Sequence, residues 1–386
     1  MEGFEDIRPY RDDEVPEVLG RLVRDPDIQR AVGRFVAPRA SRLCPPLVRW
    51  RVKEALAARA RHVTTVRAFQ EMLEGYMARL VATTTAGFTV SGLEHVPRDT
   101  PCLFVSNHRD IALDSGLMNY ALWLNGLPTT RIAIGDNLLH AGRAGELMRL
   151  NKSFVVRRDS KGTKAAYAAM ALTSSYIRHS LEGGESVWIA QREGRAKDGL
   201  DRTDPALLKM LSLTYRENGD GLRSVVERDV VIPVATSYEL DPCDIAKARE
   251  LRIHHDTGSY VKSPGEDLRS IVAGITGFKG RVHIAFGGRI EGTYDDADEL
   301  ARALDREIVG GLRLYPTHLD AAARLGDDVA SLPAPRRLPR VERLFDERLD
   351  TCPAPDRPYL LLQYANPVRN RMALGLACEK LEAVHP

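Results

Sequence analysis

One histidine follows an apolar run in a setting that suits general-base chemistry. The run Cys102–Ser106 leads directly into four polar residues, Asn107, His108, Arg109 and Asp110. A neutral imidazole at such a strand–helix junction can accept a proton from a hydroxyl near neutral pH. A lone histidine is usually structural. The polar neighbours nevertheless favour a catalytic role for His108, with Asn107 and Arg109 as substrate contacts.

Two arginines stand at the end of a second apolar run. Residues 153–157 bring Arg157 and the adjacent Arg158 to the end of a short predicted strand. Paired guanidinium groups can grip a phosphate through bidentate hydrogen bonds. The pattern therefore predicts a phosphate site, although an ordinary exposed strand edge explains it equally well.

A third apolar run, residues 186–190, leads into a turn that is rich in charge. The turn carries Glu193, Gly194, Arg195 and Lys197. A glycine allows the backbone to approach a ligand closely, and the cations offer an anion site. A solvated charged turn is the alternative interpretation.

An α/β fold is needed to bring these residues together. Short apolar runs alternate with helical runs after residue 86, which predicts a mixed, largely parallel sheet flanked by helices. In such sheets, sites form at the carboxyl ends of the strands. A proline in the sixth run, Pro233, restricts that point of the sheet to an edge, an end or a bulge. The predicted strands are 87–91, 102–106, 131–134, 153–157, 186–190, 230–237 and 281–286, and the predicted helices are 111–124, 142–149, 161–182, 205–215, 244–253, 265–274 and 295–312.

The predicted domain organisation has three parts. Residues 1–85 form an N-terminal helical region, 86–330 the α/β domain, and 331–386 a C-terminal appendage marked by proline-rich stretches. The N-terminal region contains an apolar stripe that either packs on a core or lies in a membrane interface. The stripe consists of Val66, Phe69, Met72, Leu73, Tyr76, Met77 and Leu80.

Composition limits the classes of function. The 386 residues carry a formal net charge of +2, which is too small to argue for nucleic-acid binding. The five cysteines form no CxxC pair, which indicates a reducing compartment without disulfides or structural zinc. The N-terminus lacks the apolar core of a signal peptide, and no run reaches the roughly 18 apolar residues of a spanning helix. We expect a cytoplasmic protein, or one bound peripherally to the inner face of the cytoplasmic membrane. The N-terminal arginines suit an anionic lipid surface or a solvated helix face.

The order of the segments is more specific than any one of them. In sequence they resemble the four ordered blocks of the glycerol-phosphate and lysophosphatidate acyltransferase family: Asn-His-x4-Asp, Phe-x-x-Arg, Glu-Gly-x-Arg and an apolar proline segment. The resemblance covers residues 86–290. It implies that residues 86–330 are an acyltransferase domain. Such a domain moves a fatty acyl group from acyl-CoA or acyl-carrier protein to a glycerolipid hydroxyl, with no metal or bound cofactor.

The sequence departs from the family pattern in two places. The family has its aspartate five residues after the histidine, where this chain has Leu113; Asp110 precedes that position and Asp114 follows it. We favour Asp114 as the partner of His108, because a strand–helix turn can absorb one extra residue, and Asp110 as a helix N-cap. Arg195 also follows Gly194 directly, so that Arg195 and Lys197 are exchangeable as phosphate ligands.

Under the resemblance, His108 is the general base, Asp114 orients it, and the arginines hold the acceptor phosphate. The acceptor stays open among glycerol 3-phosphate, lysophosphatidate, another lysolipid and an amino-lipid hydroxyl. A non-catalytic lipid-binding or membrane-tethering module is the alternative from another class of function. A kinase is disfavoured because Ser115 stands where the kinase catalytic loop needs asparagine, and a serine hydrolase because no Gly-x-Ser-x-Gly elbow is present.

Overall fold

The chain folds into two compact units. The computed structural model describes residues 3–138, 143–157, 162–218, 221–294, 296–333 and 335–376. One unit combines Met1–Ala78 with Thr130–Thr173, and the other combines Arg79–Thr129 with Ser174–Pro386. We call them the smaller and the larger unit. The division predicted from sequence, at residues 85 and 330, stays a prediction.

Strands and helices alternate through the middle of the chain. The strands are β1 Gly87–Ser91, β2 Cys102–Ser106, β3 Arg131–Gly135, β4 Ser153–Val156, β5 Val187–Ala190, β6 Val230–Tyr238 and β7 Arg281–Phe286. The helices are α1 Val15–Arg24, α2 Pro26–Val36, α3 Pro38–Leu43, α4 Pro45–Ala60, α5 Val66–Thr84, α6 Leu113–Leu124, α7 Ala144–Leu150, α8 Thr163–Glu182, α9 Pro205–Leu211, α10 Gly221–Arg228, α11 Asp244–Thr257, α12 Glu266–Thr276, α13 Ala297–Gly311, α14 Pro316–Arg324, α15 Pro339–Thr351 and α16 Arg357–Ala373.

The sheet of the larger unit is mixed and mostly parallel. Its strands lie in the order β1-β7-β6-β2-β5. β2 pairs in parallel with β5 and β6, and β1 pairs in parallel with β7, whereas β6 and β7 are antiparallel. Every residue of β2 is buried, as expected for a strand covered on both faces. In the smaller unit, β3 and β4 form a parallel pair. The predicted fold class is confirmed.

Pro233 lies in an interior strand, at a point where its missing N–H is tolerated. It pairs with Val105 of β2 on one side. On the other side, the β6–β7 pairing ends at Val234 and Phe286. The N–H of Gly287, just past β7, donates to the Pro233 carbonyl at 2.8 Å. The nitrogen and the carbonyl of one strand residue point to the same neighbouring strand, so the Pro233 nitrogen also faces β7. The missing N–H therefore costs only a hydrogen bond beyond the last β6–β7 pair.

The apolar stripe of α5 contributes to the core of the smaller unit. Phe69 is 1% exposed and packs in a cluster of buried apolar residues, with Val66, Met72 and Leu73 partly buried against it. The buried members of the cluster are Val15, Val18, Leu19, Leu22, Val63, Phe69 and Leu150. The core interpretation of the stripe therefore applies to this part of the helix. Among the described residues, no helix is long and apolar enough to cross a membrane.

All seven predicted strands are present, with ends displaced by at most one residue. The prediction of helix over 205–215 was partly wrong, because the α-helix ends at Leu211 and continues as a 3-10 helix over Ser212–Asn218. Helices α10, α14, α15 and α16 were not predicted. The C-terminal helices are packed: Phe345, Leu360, Tyr364 and Val368 share one buried cluster with Ala248 of α11 and Ala321 of α14.

Candidate active site

Three parallel strands bring the candidate site to one edge of the larger unit's sheet. Ser106, the last residue of β2, lies opposite Ala190 of β5 and Val234 of β6. The carboxyl ends of these strands therefore face the same edge. The chain after β5 returns to the chain after β2, where the N–H of Ala196 donates to the His108 carbonyl at 2.7 Å. His108 and the Gly194–Arg195 turn are thus neighbours.

The carboxylate of Asp114 holds the imidazole of His108. Asp114 lies in the first turn of α6, and its Oδ2 is 2.8 Å from His108 Nδ1. The same oxygen accepts the backbone N–H groups of Arg109 at 2.5 Å and Asp110 at 2.9 Å. Because the carboxylate accepts, Nδ1 carries the proton and Nε2 keeps its lone pair. That is the tautomer a general base needs.

The imidazole ring also has an aromatic contact. His108 and Trp188 of β5 meet edge to face, with ring centroids 5.9 Å apart. Trp188 is fixed in turn by a 2.9 Å hydrogen bond from its Nε1 to Ser106 Oγ. The His108 side chain is 15% exposed, whereas the side chain of Asp114 is fully buried. A substrate can therefore reach the histidine and not the aspartate.

Asp110 acts at the start of the helix and not on the histidine. One oxygen of its carboxylate accepts the backbone N–H groups of Ala112 and Leu113, both at 2.9 Å. Burial, followed by the neighbouring Asp114 charge, raises the pKa of Asp110 above its usual value. Of the two carboxylates that spacing left as alternatives, Asp114 contacts His108.

Asn107 and Arg109 turn inward. The Asn107 side chain is fully buried and bonds the backbone of Thr236 on β6 through both its oxygen, at 2.8 Å, and its nitrogen, at 3.0 Å. Arg109 donates to the buried carboxylate of Asp201 at 2.6 Å and to the Gly199 carbonyl at 3.1 Å. Burial raises the pKa of Asp201 to about 6 even though Arg109 opposes that shift. The side chains of Asn107 and Arg109, which were predicted to contact the substrate, thus form hydrogen bonds within the protein.

The turn after β5 contains an arginine that is largely buried. Arg195 is 9% exposed, and no hydrogen bond or ion pair to it is present among the described residues. Lys197, by contrast, is paired with Glu250 of α11 at 2.5 Å. Gly194 has φ +73°, and no described atom lies within 4 Å of the place a Cβ would occupy. Its left-handed backbone favours glycine, and the open space leaves room for a ligand. Glu193 is exposed.

The second predicted cation site is only partly described. Arg157 belongs to the smaller unit and forms an exposed ion pair with Asp6 at 2.9 Å. Exposed pairs of this kind contribute little to stability, so that the guanidinium can exchange its partner. Arg158 lies outside the described residues. Phosphate binding by these two arginines stays a prediction.

Several residues that support the site were missed in the sequence. The fully buried Lys247 of α11 donates to the Arg109 carbonyl at 2.7 Å and pairs with Asp241. Helix α16 holds the chain that follows Arg195, since Asn366 donates to the Asp198 carbonyl at 2.7 Å and Asn370 to that of Asp201 at 3.1 Å. These contacts join positions distant in sequence, so no local spacing could have indicated them. Tyr238, whose hydroxyl donates to Asp114, followed a predicted strand in the sequence and gave no other sign of a role in the site.

The chain is similar to known acyltransferases. Residues 87–232 match the family model described as Acyltransferase. The glycerol-3-phosphate acyltransferases of Pseudomonas entomophila and Pseudomonas putida are each 29% identical over 250 residues, covering 63% of this chain and 28% of theirs. That of Hamiltonella defensa is 31% identical over 150 residues, covering 39% and 17%. The chain thus spans less than a third of the length of these curated relatives. Among solved structures, the 1-acyl-sn-glycerophosphate (LPA) acyltransferase of Thermotoga maritima is 14% identical, with a TM-score of 0.37 over 63% of this chain and 78% of that one.

Proposed function

We propose that this chain is an O-acyltransferase of glycerolipid synthesis, as the match of residues 87–232 to the Acyltransferase family model supports. It moves a fatty acyl group from a thioester of CoA or acyl-carrier protein to a hydroxyl of a glycerol-phosphate lipid precursor. The observation that carries the proposal is the 2.8 Å contact between His108 Nδ1 and the buried Asp114 carboxylate, which leaves Nε2 as a base.

The reaction needs one proton transfer in each direction. His108 Nε2 takes the proton of the acceptor hydroxyl while the oxygen attacks the thioester carbonyl carbon. The tetrahedral intermediate collapses, the carbon–sulfur bond breaks, and the imidazolium returns the proton to the thiolate. Asp114 stabilises the imidazolium between these steps. No metal or bound cofactor enters the proposed sequence, in which the thioester is a co-substrate.

An arginine in the turn bonded to the His108 backbone suits a phosphorylated acceptor. Arg195 is 9% exposed as a residue, and no hydrogen bond from its guanidinium to a described residue is present. A bound phosphate would offer the guanidinium the acceptor atoms that it has not found among the described residues. Because Ala196 bonds to His108, the phosphate would hold the acceptor hydroxyl close to the base.

The proposal is tested by product identification. Purified chain is incubated with palmitoyl-CoA or palmitoyl-acyl-carrier protein and with glycerol 3-phosphate, lysophosphatidate, a zwitterionic lysolipid or an amino-lipid. Products are identified by mass. We expect an ester of a phosphate-bearing acceptor, and a chain that forms no ester with any pair would contradict the proposal.

Replacing Arg195 with alanine should raise KM for a phosphorylated acceptor about 10- to 100-fold. A charge-assisted hydrogen bond contributes about 1.5–3 kcal/mol, and 1.4 kcal/mol corresponds to tenfold. KM for the thioester should change little. Lys197→Ala provides the comparison, because Glu250 already neutralises that ammonium; its effect on the acceptor KM should stay below about threefold. Equal effects of the two substitutions, or of Arg195→Ala on both substrates, would contradict the phosphate role.

We also propose that the smaller unit contacts an anionic membrane surface. Helices α2–α4 expose four large apolar side chains, Val36, Leu43, Leu47 and Trp50. Residues 26–54 contain seven basic residues against two acidic ones. Exposed apolar groups among cations are typical of peripheral membrane helices. We therefore propose the exposed surface of α2–α4, and not the apolar stripe of α5, as the membrane contact.

Replacing Leu43 and Trp50 together with serine should lower binding to anionic vesicles at least about tenfold, because each loses apolar area that would enter the interface. Vesicle sedimentation at low and high salt measures the effect. Leu43 is 87% exposed, and Val261 of the larger unit, at 88%, offers a matched control. Val261→Ser should bind like the wild type. Salt-insensitive binding, or equal loss in both variants, would contradict the proposal.

A further inference from the structure

We infer that Tyr238 is a positioning residue that fixes the Asp114 carboxylate, and through it the His108 tautomer and orientation. The inference rests on the proposed function. Tyr238 is the last residue of β6, and its hydroxyl donates to Asp114 Oδ1 at 2.8 Å. A chain of two hydrogen bonds therefore runs from Tyr238 through Asp114 to His108.

The two oxygens of Asp114 have different partners. Oδ2 accepts from His108 and from two backbone N–H groups, whereas within the described residues the Tyr238 hydroxyl is the donor to Oδ1. The Asp114 side chain is fully buried. Removing the hydroxyl would leave one buried carboxylate oxygen without a donor. The carboxylate would then lose the contact that sets its rotation about the side-chain bond and directs Oδ2 at the imidazole.

Tyr238 is itself firmly held as a donor. Its backbone is paired with Val282 of β7, so that the ring projects from a strand and not from a loop. Burial, together with the nearby Asp114 and Asp110 charges, raises the pKa of Tyr238 well above its usual value. The hydroxyl therefore keeps its proton throughout the pH range in which His108 can act.

The surroundings allow the hydroxyl to be removed without disturbing the packing. Tyr238 lines a cavity of about 40 Å³, together with Arg109, Ser237 and Asp241. Phenylalanine keeps the buried ring and lacks only the hydroxyl oxygen, so it fits the same space. The charged groups around Asp114 and its neighbour Asp110 stay unchanged by the substitution; they are Asp110, Asp241, Lys247, Lys279 and Arg109. A change in the pH profile would therefore report on the hydroxyl.

The test is Tyr238→Phe beside a matched control, Tyr215→Phe. Tyr215 also donates from a buried hydroxyl to a buried carboxylate, that of Asp229, at 2.8 Å, but outside the candidate site. Tyr238→Phe should lower kcat about tenfold with KM values unchanged, since a hydrogen bond to a charged group is partly lost. The acid limb of its kcat/KM profile should move to higher pH, because the Asp114 charge is less neutralised. Tyr215→Phe should lose stability but keep the wild-type kcat and profile.

A double substitution separates positioning from a general structural effect. If Tyr238 acts through Asp114, Tyr238→Phe should change kcat less than about twofold in an Asp114→Asn background. Additive effects, or equal kcat for Tyr238→Phe and the wild type, would overturn the inference. If Tyr238→Phe does not fold, the wild-type chain is prepared with 3-fluorotyrosine in place of tyrosine. The fluorinated hydroxyls are more acidic and donate more strongly, so the acid limb of the kcat/KM profile should move to lower pH. An unchanged acid limb would overturn the inference. A wild-type chain that transfers no acyl group would instead contradict the proposed function.

Discussion

Replacing His108 with alanine should lower kcat for acyl transfer by at least about 100-fold, because loss of a general base typically costs 10²–10⁴-fold. The chain should still fold. Within the described residues the ring makes one hydrogen bond, to Asp114, and its side chain is 15% exposed. Steady-state kinetics and urea unfolding of the same preparation separate the two effects.

The matched control is another histidine next to a carboxylate. His255 lies 3.4 Å from Asp256 at the exposed end of α11, with 74% of its side chain exposed. His255→Ala should keep wild-type kcat. Retention of more than about a tenth of the wild-type kcat by His108→Ala would remove His108 as the base, since a base contributes at least about 100-fold.

Asp114→Asn should lower kcat by about 10²–10⁴-fold with KM little changed. The amide oxygen can still accept from His108 and from the backbone of Arg109 and Asp110, so the fold survives. The negative charge that stabilises the imidazolium is lost. Kinetics at several pH values measure the loss, since a higher pH should not restore the rate.

Asp110→Asn provides the comparison at the neighbouring carboxylate. Its amide oxygen can still accept from Ala112 and Leu113. We expect near wild-type kcat and a change in unfolding free energy of about 1 kcal/mol or less. A larger loss of kcat in Asp110→Asn than in Asp114→Asn would reverse the assignment of the two carboxylates.

Strands β2, β5, β6 and β7 were predictable because nearly all of their residues are buried. Runs such as Cys102–Ser106 are then continuously apolar and end at polar residues. Parallel pairing brings the carboxyl ends of such strands together, which is why His108 and the Arg195 turn could be expected at one edge. The helical spacing of the apolar stripe in α5 is local in the same sense.

The remaining features depend on contacts between distant residues. Spacing could not decide between Asp110 and Asp114, since that depends on how the chain turns before α6. Nor could it separate Arg195 from Lys197, because Glu250, which neutralises the lysine, lies on another helix. The C-terminal helices α15 and α16 begin at proline-rich stretches, and their buried side chains pack against α11 and α14. The sequence of α15 or α16 alone does not show which other helices they contact.

Acceptor-dependent release of thiol tests the central claim most directly. Palmitoyl-CoA is incubated with the acceptor identified by the product analysis, and free CoA and ester are each quantified in the same reaction. The wild-type chain and His108→Ala are compared. The wild type should release one thiol for each ester formed, with release falling to the background when the acceptor is omitted. His108→Ala should stay at that background. Thiol release that does not need the acceptor, or ester formation by His108→Ala at more than about a tenth of the wild-type rate, would contradict His108-assisted acyl transfer.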